Sequence, residues 1–131
     1  MPVTMPSVST RHARISIDMG VSDRSQHPGN LFANALPPRE GERFEALLRH
    51  RNLVVERIVS SAFAEGQEYV QPQDEWVLLV QGEARLKVDG VVTPLLAGDY
   101  LFLPAGTRHT VECVSAGAIW LAIHLYPESM S

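Results

Sequence analysis

An all-β, antiparallel sandwich or barrel with one short helix near its start is the fold class this sequence predicts. Three observations carry it. From Leu53 onward the apolar residues alternate with a period of two, the mark of half-buried strands. The runs are short and rich in Val, Ile and Leu, and they follow one another at close intervals. Gly, Pro and Asp fall between them, where tight turns are needed.

Taken in order, residues 1–28 are rich in Ser, Thr, Pro and Met and read as a flexible N-terminal tail, with "ISIDM" alternating weakly enough to add at most a strand. Residues 29–131 read as a single domain. In "LFANALPPREGERFEALLRHRN", the Pro37-Pro38 pair stops a helix from extending upstream. Phe44, Leu47 and Leu48 recur at helical spacing, which predicts about two turns over residues 40–49. "LVVERIVSS" is strand-like, and "EWVLLVQ" and "EARLKV" flank Gly82. Asp89-Gly90 suits a type I′ hairpin leading into "VVTPLL". "GDYLFLPAG", "HTVECV" and "AIWLAIHLY" complete the series.

Alternation also assigns faces. In "EARLKV", Ala84, Leu86 and Val88 oppose Glu83, Arg85 and Lys87, giving one wet side. In "WVLLVQ" both faces are apolar, so that strand is expected to be covered twice, and a homodimer follows as an expectation.

Composition narrows the function classes. The 131 residues are 45% hydrophobic and 20% charged, ordinary for a globular protein. A net charge of −4 argues against nucleic-acid binding, which needs a basic surplus. No apolar run approaches the ~20 residues of a membrane helix, and the start lacks a secretory apolar core. The single cysteine, Cys113, excludes an internal disulfide and a Cys-rich zinc site, and a cytoplasmic location is expected.

One motif reaches further. Gly98, Pro104, Gly106 and His109, within "GDYLFLPAGTRH", follow the spacing Gly, five residues, Pro, one residue, Gly, two residues, His. This resembles the second motif of the cupin superfamily, small jelly-roll β-barrels, with Cys113 where that motif closes on Asn. Glu75 and Gly82, with six residues between them, are similar to the second part of the first cupin motif. Its two histidine positions fall on Tyr69 and Gln71, and its leading Gly is not in register. The resemblance extends over residues 53–126 and more loosely over 29–52, and points to small single-domain bacterial cupins. It implies a cupin-type antiparallel jelly-roll barrel and carries Glu75 and His109 over as metal ligands.

The residues themselves suit that chemistry. Glu75 leads into the apolar run "WVLLVQG", where a carboxylate is costly unless paired, protonated or bound to a metal. If residues 69–75 run extended, Tyr69, Gln71, Gln73 and Glu75 share one side. Imidazole and carboxylate suit Zn²⁺, Fe²⁺, Mn²⁺ or Ni²⁺; a Gln carbonyl can add a neutral oxygen, and Tyr69 would ligate best as phenolate. The alternative is a buried Glu75–His109 hydrogen-bonded pair without metal. In "AIWLAIHLY", Ala118, Trp120, Ala122, His124 and Tyr126 share a face; Trp120 and His124 are candidates to line a cavity, or His124 sits at a strand end bonded to backbone.

Other features read blandly. Cys113 falls on the same strand face as His109 but roughly 13 Å away, so it reads as a buried, inert thiol. Arg39, Arg43, Arg49, Arg51 and Arg57, interspersed with Glu40, Glu42, Glu45 and Glu56, read as a solvated mixed-charge surface. His12, His27 and His50 receive no chemistry. Three readings follow: a metal-dependent cupin acting on a small polar molecule with dioxygenase- or isomerase-like chemistry; a non-catalytic binding or sensory cupin without metal; and metal-free acid–base catalysis by Glu75, His109 and Tyr69.

Overall fold

The computed structural model describes residues 27–66 and 68–128. The chain divides into two compact units, Met1–Asn30 and Leu31–Ser131. Of the first, residues 27–30 are described and form neither strand nor helix; the "ISIDM" reading lies outside the described residues.

Among its described residues the second unit holds nine strands: β1 (Glu42–His50), β2 (Leu53–Ser60), β3 (Glu68–Tyr69), β4 (Asp74–Gln81), β5 (Glu83–Val88), β6 (Val91–Leu96), β7 (Tyr100–Leu103), β8 (His109–Val114) and β9 (Ala118–Leu125). They form a five-stranded sheet in the order β1-β2-β9-β4-β7 and a four-stranded sheet in the order β3-β8-β5-β6. All pairings are antiparallel. The chain switches sheets after β2, β3, β4, β6, β7 and β8, so the two layers close over one core, as in a jelly roll.

Alternation decides what the core receives. Val77 and Leu79 of β4, Ala84 and Leu86 of β5, Leu103 of β7, Val111 and Val114 of β8, and Ala118, Trp120 and Ala122 of β9 are buried in one cluster. The expected wet side of β5 is exposed: Glu83, Arg85 and Lys87 face out. The hairpin at Asp89-Gly90 has both residues at positive φ, 48° and 83°, as a type I′ turn requires.

The helix expected over residues 40–49 is absent: Glu42–His50 is strand β1. Its pairing with β2 carries a bulge between Ala46 and Leu48. The extra residue makes Phe44, Leu47 and Leu48 mimic helical spacing in a strand that alternates on either side of the break. As an edge strand, mostly exposed, β1 lacks the burial contrast that would have revealed its true period.

A second bulge corrects the face of Cys113. β5 and β8 slip register between Arg85 and Leu86, so Val111 and Val114 point inward while Cys113 is only half-buried and leaves the face of His109.

Gly82 marks the tightest crossing in the fold. It sits at φ +98°, and a Cβ there would lie 2.7 Å from Ser115 Oγ and 2.9 Å from Ala118 Cβ. Close by, the Glu83 N–H donates to Ser115 Oγ at 3.0 Å and the Ser115 N–H to the Glu83 carbonyl at 3.0 Å, locking the β4–β5 junction against the β8–β9 crossover. Gly82→Ala is therefore expected to destabilise the protein by about 2–4 kcal/mol, from a disfavoured φ added to a clash with Ser115 Oγ and Ala118 Cβ. Urea denaturation checks this; a loss below ~1 kcal/mol would refute the close-crossing account.

Candidate functional site

Among the described residues fourteen line the pocket between the sheets, including Glu42, Glu56, Glu75, Tyr69, His109 and His124, and its void measures about 50 Å³. That is room for a hydrated ion or the reacting end of a small polar molecule. Phe44, Gln71 and Trp120 also line it.

Sheet register assembles one side of the site. On β9, His124 lies opposite Glu75 of β4 and opposite Val54 of β2, two residues along from Glu56. All three therefore point into the barrel from neighbouring strands. The His124 Nε2–H donates to Glu56 Oε1 at 2.9 Å. Gln73 Nε2 approaches His124 Nδ1 at 3.1 Å, donating to it when the imidazole is neutral. Turning the amide over presents its carbonyl instead, so Gln73 also suits the imidazolium. Burial alone would lower the His124 pKa, but the Glu56 hydrogen bond and the charges of Glu75 and Glu56 outweigh it and raise the value above 6.5.

Gln73 itself is buried but is not among the lining residues. The chain bends at Pro72-Gln73 instead of running extended from 69 to 75, so period two breaks and Gln73 sits behind His124.

A turn positions the other side. The Thr107 N–H donates to the Pro104 carbonyl at 3.0 Å, with Gly106 at φ +83°, a combination that defines a type II turn. The Gly106 N–H reaches the Gln71 carbonyl at 2.8 Å and the Ala105 N–H reaches Asp74 Oδ1 at 2.9 Å. The turn is thus tied to the segment leading into β4, and it delivers His109 to the start of β8.

His109 stacks on Tyr69, its cross-strand neighbour, at 5.4 Å between ring centroids. Its Nδ1–H donates to the Thr107 carbonyl at 3.3 Å, which leaves the Nε2 lone pair facing Glu75 Oε1 across 3.9 Å. Burial lowers the His109 pKa below 6.5, keeping the ring neutral.

Glu75 is 5% exposed, and its Oε1 is buried without a hydrogen-bond partner among the described residues. Burial is the main cause that raises its pKa above 4.5; Glu56 and Glu42 add to the rise, and His124 opposes it. An orphaned carboxylate oxygen facing an imidazole lone pair is a pair of acceptors awaiting a proton or a cation.

A third set closes the wall. Trp120 Nε1–H donates to Ser60 Oγ at 3.0 Å, and Ser60 Oγ–H to Glu42 Oε2 at 2.6 Å. The Tyr69 hydroxyl donates to Glu42 Oε1 at 2.8 Å. Burial, followed by the Glu42 charge, pushes the Tyr69 phenol well above its ordinary 10.0. Tyr69 is accordingly a donor to Glu42 here, and its phenolate form is disfavoured.

Glu42 and Glu56 belong to this site and not to a solvated charged surface. Alternation sends them inward and sends Arg43 and Arg57 to the other face of the same strands. The sequence signal was present: Glu56 precedes Arg57 inside an alternating run, so the two cannot share a side.

These features are those of a small β-barrel with a histidine and a glutamate brought into one pocket by two separate motifs. The cupin domain model matches residues 56–124. The chain belongs to the cupin family. Among solved cupin-like structures, a proposed mannose-6-phosphate isomerase of Ralstonia eutropha JMP134 is 37% identical, with a TM-score of 0.68 over 77% of this chain and 99% of that one. An RmlC-like cupin of Shewanella frigidimarina NCIMB 400 is 26% identical, with a TM-score of 0.60 over 66% of this chain and 78% of that one. An RmlC-like cupin of Desulfovibrio desulfuricans shares the fold at 21% identity and a TM-score of 0.63, over 76% of this chain and 95% of that one. Comparison with the curated proteins finds none that matches.

The donor set of this cupin bears on metal binding. Glu75 Oε1 and His109 Nε2 have lone pairs free toward the void, and Gln71 lines it, whereas Tyr69 and His124 are engaged with Glu42 and Glu56. Among the described residues no group of three or more His, Cys, Asp or Glu is gathered to hold an ion. The chain would therefore hold an ion by few ligands, with several positions left for water or substrate. No helix among the described residues is long and apolar enough to cross a membrane.

Proposed function

We propose that this cupin binds a divalent metal ion through Glu75 and His109, with Gln71 beside them, and acts on a small polar molecule in isomerase-like proton-transfer chemistry. The observation that carries the reading is the orphaned Glu75 Oε1 facing the free His109 Nε2 at 3.9 Å. A bound cation satisfies both acceptors and removes the cost of the buried charge. When bound, a divalent ion supplies Lewis-acid polarisation of a carbonyl or hydroxyl oxygen.

The chain's own residues supply the rest. His124, held between Glu56 and Gln73, can pass a proton at Nε2, because Gln73 suits either protonation state. Glu42 fixes the Tyr69 hydroxyl, and the Tyr69 ring fixes His109 by stacking. A paired histidine and glutamate beside the ligand favour proton transfer over oxygen chemistry. The similarity to a proposed sugar-phosphate isomerase supports the same reaction class.

The test is thermal unfolding of untagged, EDTA-treated protein with and without Zn²⁺, Mn²⁺, Fe²⁺ or Ni²⁺. At a free concentration one hundred times Kd, the ion should add about 2.7 kcal/mol, a rise in Tm of roughly 10 °C. No shift with any of the four would refute the metal reading.

A second reading draws on the small number of free donors. A barrel with two free ligand atoms can grip a small polar ligand without metal, as a binding or sensory module. Ligand-dependent stabilisation unchanged by EDTA, without turnover, would mark it.

A further inference from the structure

Three glutamates, Glu42, Glu56 and Glu75, face one small void, and among the described residues no Lys or Arg lines it. We propose that the pocket selects a small organic cation, an amine-bearing molecule, over phosphorylated or carboxylated counterparts. This rests on the reading of the pocket as a ligand site and narrows its substrate class.

The charge asymmetry follows from strand geometry. On β2, Glu56 points inward and Arg57 outward; on β1, Glu42 points inward and Arg43 outward. The guanidinium groups are then committed elsewhere: Arg57 to Glu45 and the Leu31 and Ala33 carbonyls, Arg43 to the Leu36 carbonyl. Neither is placed to neutralise the pocket. A divalent ion at Glu75 and His109, counted with His124 as imidazolium, brings three positive charges against three glutamates, which still leaves no surplus to attract an anion.

Hydrogen bonding points the same way. Glu42 accepts from Tyr69 and Ser60, and Glu56 Oε1 accepts from His124. Without a metal ion, Glu75 Oε1, in a residue 5% exposed, accepts from nothing among the described residues. The pocket has acceptors in excess of donors. An ammonium group brings three donors and no acceptor, whereas a phosphate or carboxylate brings only acceptors. Phe44, Tyr69 and Trp120 add aromatic rings to the lining, which favour a cation by their quadrupoles. An anion would meet like charge in a site of low effective dielectric, where the repulsion is strong.

Calorimetric titration of EDTA-treated and metal-loaded protein with matched probes tests this: ethanolamine against glycolate, and mannosamine against mannose 6-phosphate. Within each pair the amine should bind at least about tenfold more tightly, a difference of ~1.4 kcal/mol. Glu42→Gln and Glu56→Gln should each erode that preference. Tighter binding of the anion in either pair, or no binding of either amine, overturns the proposal. A chain that prefers the amines yet takes no metal refutes the metal reading alone. A chain that takes metal and prefers the anions refutes this inference alone.

Discussion

Glu75→Gln should give a metal-free protein more stable than the native one near pH 8 by about 1–2 kcal/mol, while metal binding is lost. The native carboxylate is buried with Oε1 unpartnered, and such a group costs on the order of 1–3 kcal/mol. The sign with pH follows from its raised pKa. Between 4.5 and the raised folded value, the native state holds a proton that the unfolded chain has released. Native stability therefore falls as pH climbs through that window and stays lowered above it. A glutamine cannot ionise, so the variant escapes that loss, and its amide N–H₂ offers a donor toward His109 Nε2. His109 contributes the opposite slope in both proteins: its lowered pKa takes stability away as pH falls below 6.5. The difference between the two proteins reads Glu75 together with the part of the rise at His124 that the Glu75 charge causes. Urea denaturation at pH 5 and pH 8 measures it. A variant less stable than native at pH 8 would contradict the account, as would one that still binds Zn²⁺ or Mn²⁺.

Arg57→Ala should produce the largest loss of stability, about 3–4 kcal/mol of the 5–15 typical of a domain. Arg57 lies on the outer face of β2 yet is 4% exposed. Its Nη1 donates to the Leu31 carbonyl at 2.9 Å and the Ala33 carbonyl at 2.6 Å, and its Nε donates to Glu45 Oε1 at 3.1 Å. One planar fork thus pins the 31–34 segment across the sheet, and each bond to a charged donor contributes roughly 1.5–3 kcal/mol gross. Arg57→Lys should recover only part of the loss, because a single ammonium cannot serve divergent carbonyls and a carboxylate together. A loss under ~1 kcal/mol for the alanine variant would show that the segment does not depend on this anchor.

The strands were legible wherever burial differed between faces. β2 and β4 to β9 each have one face on the core, and their alternation or turn residues show it in the sequence. β1 was not legible, because a bulge and an exposed edge replace period two with apolar positions at 44, 47 and 48. The site was half legible. Glu75 and His109 stand out through turn residues at fixed offsets, which are local. Glu42 was hidden because the period of β1 was not legible, whereas alternation in β2 already puts Glu56 on the side opposite Arg57, and the sheet decides which of those sides faces the barrel. Gln73 could not be placed from the sequence either, since the bend at Pro72 decides whether it faces the void or backs His124.

The metal content of untagged protein, purified without chelator and compared with a His109→Ala control, tests the central claim most directly. The free lone pairs of Glu75 and His109 predict about one divalent ion per chain in the native protein and almost none in the variant. Equal metal in both proteins, or none in either, would contradict it.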